Sequence, residues 1–279
     1  MGMQVNTNVA ALNSYRNLSN TQNDLAKSLE KLSSGLRINH AADDAAGLAV
    51  SQGLQSQVGG LTVASRNAQD GVSVIQTAEG SLSEVQTILQ RVRDLAVQSG
   101  NDSNNTASRA AIATEVTALG AELTRIGTSA NFNGTKLLDT AAAATPLTFQ
   151  IGAGSTAADQ ISVSMTDVTA IGTIVSGLAA TGFSSAASAL TTIGTLDTNI
   201  TAVSTARAGL GANQNRFESV IRNLAVSTEN LTAAKSHITD TDMALEMVKY
   251  TRSNILSQAG TAMLAQANQS NQGVLQLLR

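Results

Sequence analysis

Seven apolar residues stand seven apart without a miss: Leu196, Val203, Leu210, Phe217, Leu224, Leu231 and Ile238. Ile200 and Ile221, and more weakly Ala206 and Thr228, fill the alternate steps. Apolar groups at alternating three- and four-residue steps draw a narrow stripe on a helix, the seam of a coiled coil. Gly194, Gly209 and Gly211 weaken the stripe, each costing roughly 1 kcal/mol against Ala in a helix interior. A helix from about Thr195 to Ile238 would run roughly 65 Å at 1.5 Å per residue. A rod of that length cannot close a core on itself, so it needs partners.

The chain supplies a matching ladder. Leu61, Ala68, Ile75, Leu82, Leu89 and Ala96 repeat at seven, with Leu54, Val58, Val72 and Val92 on alternate steps, between about Asp44 and Ser99. Two rods of equal length and period are expected to pack side by side at a shallow angle. The predicted seam is Leu61, Ile75, Leu82 and Leu89 against Leu210, Phe217, Leu224 and Leu231. A third helix is predicted over about Ala107 to Thr128, with Ile112, Val116, Leu119, Leu123 and Ile126 on one face. Between them Ser99-Gly-Asn-Asp-Ser-Asn-Asn-Thr106 reads as a turn. Asn131-Phe-Asn-Gly134 reads as another turn, with Phe132 as an anchor into the seam.

Composition agrees with repeated helix contacts. Of the 279 residues 42% are hydrophobic, but only 2% are aromatic. The apolar mass is therefore small aliphatic side chains rather than one aromatic core. One proline, Pro146, leaves long helices free to run. The net charge of −3, with 13% charged residues, is no nucleic-acid footprint, which needs clustered Lys and Arg. The absence of cysteine excludes disulfides, thiolate metal sites and Cys nucleophiles. No catalytic constellation, P-loop or cofactor motif is present, and His40 and His237 lie in no HExxH pattern, so no enzyme and no cofactor is expected. The uncharged run Val168 to Leu196 is laced with Gly, Ser and Thr and is not read as a membrane span. Met1 to Arg16 shows no basic region followed by an apolar one, so secretion by a cleaved Sec signal peptide is not expected.

The two ends read alike. On the first helix Leu18, Leu25 and Leu32 repeat at seven, and so do Gln22, Leu29 and Leu36. The hinge after it offers Asp43 or Asp44 as the cap of the next helix. At the other end Asp240 or Asp242 caps a final helix, on which Leu256, Ala259, Met263, Ala267, Ser270, Val274 and Leu277 step by three or four. Both seams are too thin to hold a core alone. The expected packing set of the ends is Leu18, Leu25, Leu29, Leu32, Leu36, Leu256, Met263, Val274 and Leu277. Between the long ladders, Leu147-Thr-Phe-Gln-Ile151 and Gln160-Ile-Ser-Val-Ser-Met165 alternate apolar and polar around a Gly-rich turn, which predicts a β-hairpin.

Val5-Asn-Thr-Asn-Val-Ala-Ala-Leu12 and Ser33-Ser-Gly-Leu-Arg-Ile-Asn-His-Ala-Ala-Asp-Asp-Ala-Ala-Gly-Leu48 resemble the N-terminal signature of bacterial flagellins. Gln258-Ala-Gly-Thr-Ala-Met-Leu-Ala-Gln-Ala-Asn268 and Val274-Leu-Gln-Leu-Leu-Arg279 are similar to the C-terminus of the same family. The resemblance spans roughly residues 1–138 and 200–279. It implies a structural subunit that polymerises into the flagellar filament for swimming motility, with terminal helices around a central channel. It implies an extracellular place in the flagellum, reached through the flagellar type III apparatus. It also implies an export chaperone on the C-terminal helix, contacts with hook-associated and cap proteins, and a patch for the vertebrate innate flagellin receptor. Arg91, Leu95 and Glu115 stand at that patch, with Ile221 across the bundle. A hook–filament junction protein or a coiled-coil adaptor that does not polymerise is the rival reading.

The expected fold is mainly α: a long antiparallel helical rod with paired terminal helices and a small central β-hairpin. The expected division is 1–42 with 240–279 as terminal helices, disordered in the monomer; 43–139 with 185–239 as rod; and 140–184 as a short β/loop insertion in place of a large outer domain.

Overall fold

A computed structural model describes residues 7–277, with side chains described up to Ser270. The described residues form seven α-helices and two short hairpins. They are α1 (Val9–Ser34), α2 (Ala45–Ser99), α3 (Thr106–Ser129), β1 (Asn131–Phe132), β2 (Thr135–Lys136), α4 (Thr140–Ala144), β3 (Leu147–Gln150), β4 (Gln160–Val163), α5 (Val168–Thr181), α6 (Ala186–Thr239) and α7 (Met243–Leu277). They fall into two compact units. One takes both chain ends, up to Ser56 and from Asn230 on, and the other takes Gln57–Glu229.

The central unit is built on the two ladders. Ala68, Ile75, Leu82, Leu89 and Ala96 of α2 are at most 1% exposed, and Leu196, Val203, Leu210 and Phe217 of α6 at most 3%. The pairing is antiparallel: Arg93 bonds Asp197, Arg207 bonds Glu79 and Gln86, and Gly71 lies under Phe217. Leu61 of α2 is only half-buried, and so is Leu231 of α6, which belongs to the other unit. α3 adds Ile112, Val116 and Leu123 to this core, as its spacing predicts.

The predicted hairpin is present, with β3 and β4 paired antiparallel, Leu147 opposite Val163 and Phe149 opposite Ile161. Its apolar face reaches the helices through Phe149, whose ring meets Phe217 edge-on at 5.5 Å. The rest of 140–184 departs from a β/loop insertion, because residues 168–181 form α5. That stretch is rich in Val, Ile, Thr and Gly, which are weak helix formers. Asp167 starts the helix, accepting the Ala170 amide at 2.9 Å and the Thr169 hydroxyl at 2.6 Å. Packing then overrides propensity: Val168, Ile171, Val175 and Ala179 are buried against α3. The long helix α6 likewise starts at Ala186, before its first ladder residue. Phe132 is half-buried and packs against the core, and the fully buried Leu137 and Leu138, just after the first hairpin, hold that segment more firmly.

In the unit of the chain ends, the two hinges are stitched by main chain. Leu36 and Asp240 form an isolated antiparallel bridge, the Arg37 amide donates to Thr239 O at 2.6 Å, and the Thr241 amide donates to Gly35 O at 3.0 Å. The side chain of Arg37 adds a bond to Ile238 O at 2.7 Å. Of the two candidate caps at each hinge, Asp44 receives the Gly47 amide and opens α2. Asp43 instead receives the Asn39 and His40 amides and holds the turn. Asp242 opens α7 by accepting the Ala244 and Leu245 amides, while Asp240 receives the hydroxyls of Ser236 and Thr239.

Candidate functional site

Helices α1 and α7 lie against each other, and their interface mixes a few leucines with small and polar residues. On α1 the covered positions run Ala11, Ser14, Leu18, Thr21, Leu25, Ser28 and Leu32. On α7 they run Glu246, Tyr250, Ser253, Ser257, Gly260, Leu264 and Ala267. Both sets step by three and four, so the geometry is a seam, but most of its members carry no large apolar group. Leu18 packs over Gly260, where an added Cβ would stand 3.2 Å from the Leu18 side chain. Asn8 caps α1 through the Ala11 amide and also donates to Ala267 O at 3.0 Å.

The polar centre of this seam is Glu246, only 4% exposed. The Ser28 hydroxyl donates to its Oε1 at 2.7 Å and Lys249 donates to its Oε2 at 3.0 Å. Burial pushes the Glu246 carboxyl up, but these two hydrogen bonds and the charges of Lys249 and Lys31 outweigh burial and hold it below its ordinary range. A lowered folded value means stability that is present above the ordinary glutamate range and lost as pH falls through the folded value. Acidification is therefore expected to loosen the α1–α7 pair, and Glu246→Gln to flatten that dependence between about pH 6 and pH 3, around the ordinary value of roughly 4.3. Helicity by circular dichroism against pH, for filaments assembled from each of the two chains, tests this; identical profiles would show that Glu246 does not carry the dependence.

Other large apolar residues of the pair point outward. Leu12, Tyr15 and Leu29 of α1 are 58%, 62% and 56% exposed, and Val248, Ile255, Leu256 and Met263 of α7 are 59%, 61%, 52% and 63%. Two grooves result. One, of about 270 Å³, runs between Leu18 and Thr21 on α1 and Leu256 and Met263 on α7. The other, of about 430 Å³, lies on α7 alone, between Met247, Val248, Ile255 and Leu256.

Of the expected packing residues, Leu18, Leu25, Leu32 and Leu36 are buried or half-buried. Leu29, Leu256 and Met263 are not seam residues within one chain; the true seam of α7 lies about one position away from the predicted stripe. The side chains of Val274 and Leu277 lie outside the described residues. Sequence reading missed Ser28, Glu246 and Gly260, because a ladder search counts apolar residues only; their seven-residue spacing from Thr21, Ser253 and the rest was the available signal.

The Arg91 patch divides. Arg91 reaches across from α2 to Glu115 on α3, with N–O separations of 2.8–2.9 Å and both partners on the surface. Arg93 turns to the other side and pairs with Asp197 of α6 at 2.6 Å. Leu95 is 2% exposed and belongs to the core, so it offers no surface. Ile221 is half-buried and does not join Arg91. Arg93 lies at the level of Asp197 and Gly71 at that of Phe217, which sets Ile221 roughly 30 Å along the helix pair at 1.5 Å per residue.

The model of the bacterial flagellin N-terminal helical region matches residues 5–143, and that of the C-terminal helical region matches residues 193–278. The chain belongs to the bacterial flagellin family. It is 50% identical to a flagellin of Halalkalibacterium halodurans, over 99% of this chain and 100% of that one. It is 49% identical to a flagellin of Bacillus subtilis, again over 99% and 100%. A flagellar filament 33 kDa core protein of Treponema phagedenis is 44% identical over the same shares. The crystal structure of a Bacillus cereus flagellin aligns with a TM-score of 0.49 at 31% identity, covering 61% of this chain and 94% of that one. Bacterial flagellins are structural proteins rather than enzymes. Among the described residues no helix is long and apolar enough to cross a membrane.

Proposed function

We propose that this flagellin is a structural subunit that polymerises into the extracellular filament of the bacterial flagellum, and that α1 and α7 drive the assembly by packing against neighbouring copies around a central channel. The observation that supports this reading most is the outward apolar surface of the α1–α7 pair. Within one chain the pair buries Leu18, Ser28 and Glu246 but leaves Tyr15, Ile255 and Met263 more than 60% exposed. Such a pair gains little against the roughly 1–2 kcal/mol of backbone entropy lost per ordered residue. Neighbours that cover the outer faces supply the missing burial, so the terminal helices gain their order on assembly. Head-to-tail contacts that do not close on themselves give an open filament. The covering surface is a second copy, in keeping with relatives named flagellin and flagellar filament core protein. None of the relatives named above is a junction protein.

The same reading extends to other partners. Before assembly the apolar groove of α7 is the surface an export chaperone would mask on the way through the flagellar type III apparatus. Hook-associated and cap proteins would meet the same helix ends at the two tips of the filament. The Arg91–Glu115 pair is the exposed part of the receptor patch.

Electron microscopy of the purified chain with seeds or a salting-out agent tests the assembly. Long uniform filaments are expected from the full chain, and none from a chain lacking residues 1–40 and 241–279. A full chain that stays a small discrete species under all these conditions would overturn the proposal.

A further inference from the structure

Three of the six methionines lie on α7, and all three are on its surface: Met243, Met247 and Met263 are 48%, 52% and 63% exposed. Met165, by contrast, is 7% exposed in the central core. Met247 lines the groove on α7, and Met263 lines the groove shared with α1. A thioether suits such surfaces because it is apolar, flexible and polarizable. It is also the side chain whose character changes most on mild oxidation, from apolar thioether to polar sulfoxide.

We propose that Met243, Met247 and Met263 are modification sites for peroxide-class oxidants, and that their sulfoxides bar an unassembled chain from joining the polymer. The inference rests on the function proposed above, because it needs the two grooves and the exposed start of α7 at Met243 to be covered by a second copy. In the reaction the thioether sulfur gives an electron pair to one peroxide oxygen. A sulfur–oxygen bond forms, the oxygen–oxygen bond breaks, and the second oxygen leaves as water. Sulfur is oxidised and the peroxide reduced. The sulfoxide is bulkier and far more polar than the thioether it replaces, and covering it with a neighbour's apolar surface is unfavourable. In the filament the same sulfurs are covered, so the modification acts on free chains and spares assembled ones.

The test treats the full chain with hydrogen peroxide before and after assembly and maps the sulfoxides by peptide mass spectrometry. On free chains the three α7 methionines are expected to be oxidised and Met165 spared. Seeded growth of these chains should slow by at least about tenfold. A triple variant, Met243→Leu, Met247→Leu and Met263→Leu, preserves apolar volume and should grow equally well before and after peroxide. Methionine sulfoxide reductases should restore growth to the oxidised parent chain. Peroxide added to finished filaments should leave the three residues unmodified. Normal growth by a chain carrying all three sulfoxides overturns the inference, and so does loss of growth in the peroxide-treated triple variant. Untreated chains that never grow would overturn the filament reading itself, and this inference with it.

Discussion

Phe217→Ala is expected to lower the free energy of unfolding by about 3–5 kcal/mol, the usual range for emptying a buried aromatic site. The residue is a rung of the α6 ladder with 0% exposure. Its ring lies edge-on to Phe149 of β3 and touches the Gly71 backbone position of α2, so three separate segments meet on one side chain. Val226→Ala, on the same helix but 57% exposed, is the control and should change stability by less than about 0.5 kcal/mol. Denaturant titration followed by circular dichroism reads both. A Phe217 variant as stable as the control would mean that the hairpin and the two long helices are not joined at this point.

Gly172→Val should be damaging for the opposite reason. A Cβ at this position of α5 would stand 2.4 Å from the Thr124 hydroxyl, 2.7 Å from the Thr124 amide nitrogen and 3.0 Å from Gly120 O. Two of these three neighbours are main chain and cannot turn aside. The added side chain has to push α3 and α5 apart, and overpacking of this kind costs about 1–3 kcal/mol or more. Gly177 lies on the same helix with no heavy atom near its missing Cβ. Gly177→Ala should therefore stabilise the chain, by up to about 1 kcal/mol of helix propensity. Opposite signs for the two substitutions in one thermal melt series are the expected result; equal losses would place the α3–α5 contact elsewhere.

What could be read from the sequence, and what could not, follows from side-chain size. The two long ladders were legible because Leu, Ile, Val and Phe at sevenfold spacing have one simple explanation, and Ile75, Leu82, Leu210 and Phe217 are all buried. The β3–β4 hairpin was legible as strict alternation around a Gly-rich turn. The α1–α7 seam was legible only in half. Leu18, Leu25 and Leu32 mark it on α1, but Ser28, Glu246 and Gly260 complete it, and polar or absent side chains look like surface. For the same reason Leu256 and Met263 drew the stripe of α7 toward its outer face. Helix α5 was hidden because Gly172 and the β-branched residues around it argue against a helix until α3 is in place. The separation of Ile221 from Arg91 depends on the register between α2 and α6, which a period of seven leaves open.

The Leu36–Asp240 bridge closes a loop of about 200 residues, and the entropy of closing a loop rises only with the logarithm of its length. Between those two points the chain can therefore lengthen or shorten at little thermodynamic cost, provided the change falls in a turn such as 152–156 between β3 and β4. Both ends remain tied at the clasp whatever happens inside it. Selection can remodel the interior of such a molecule, in size and in what it presents outward, while the pairing of its first and last helices is inherited unchanged.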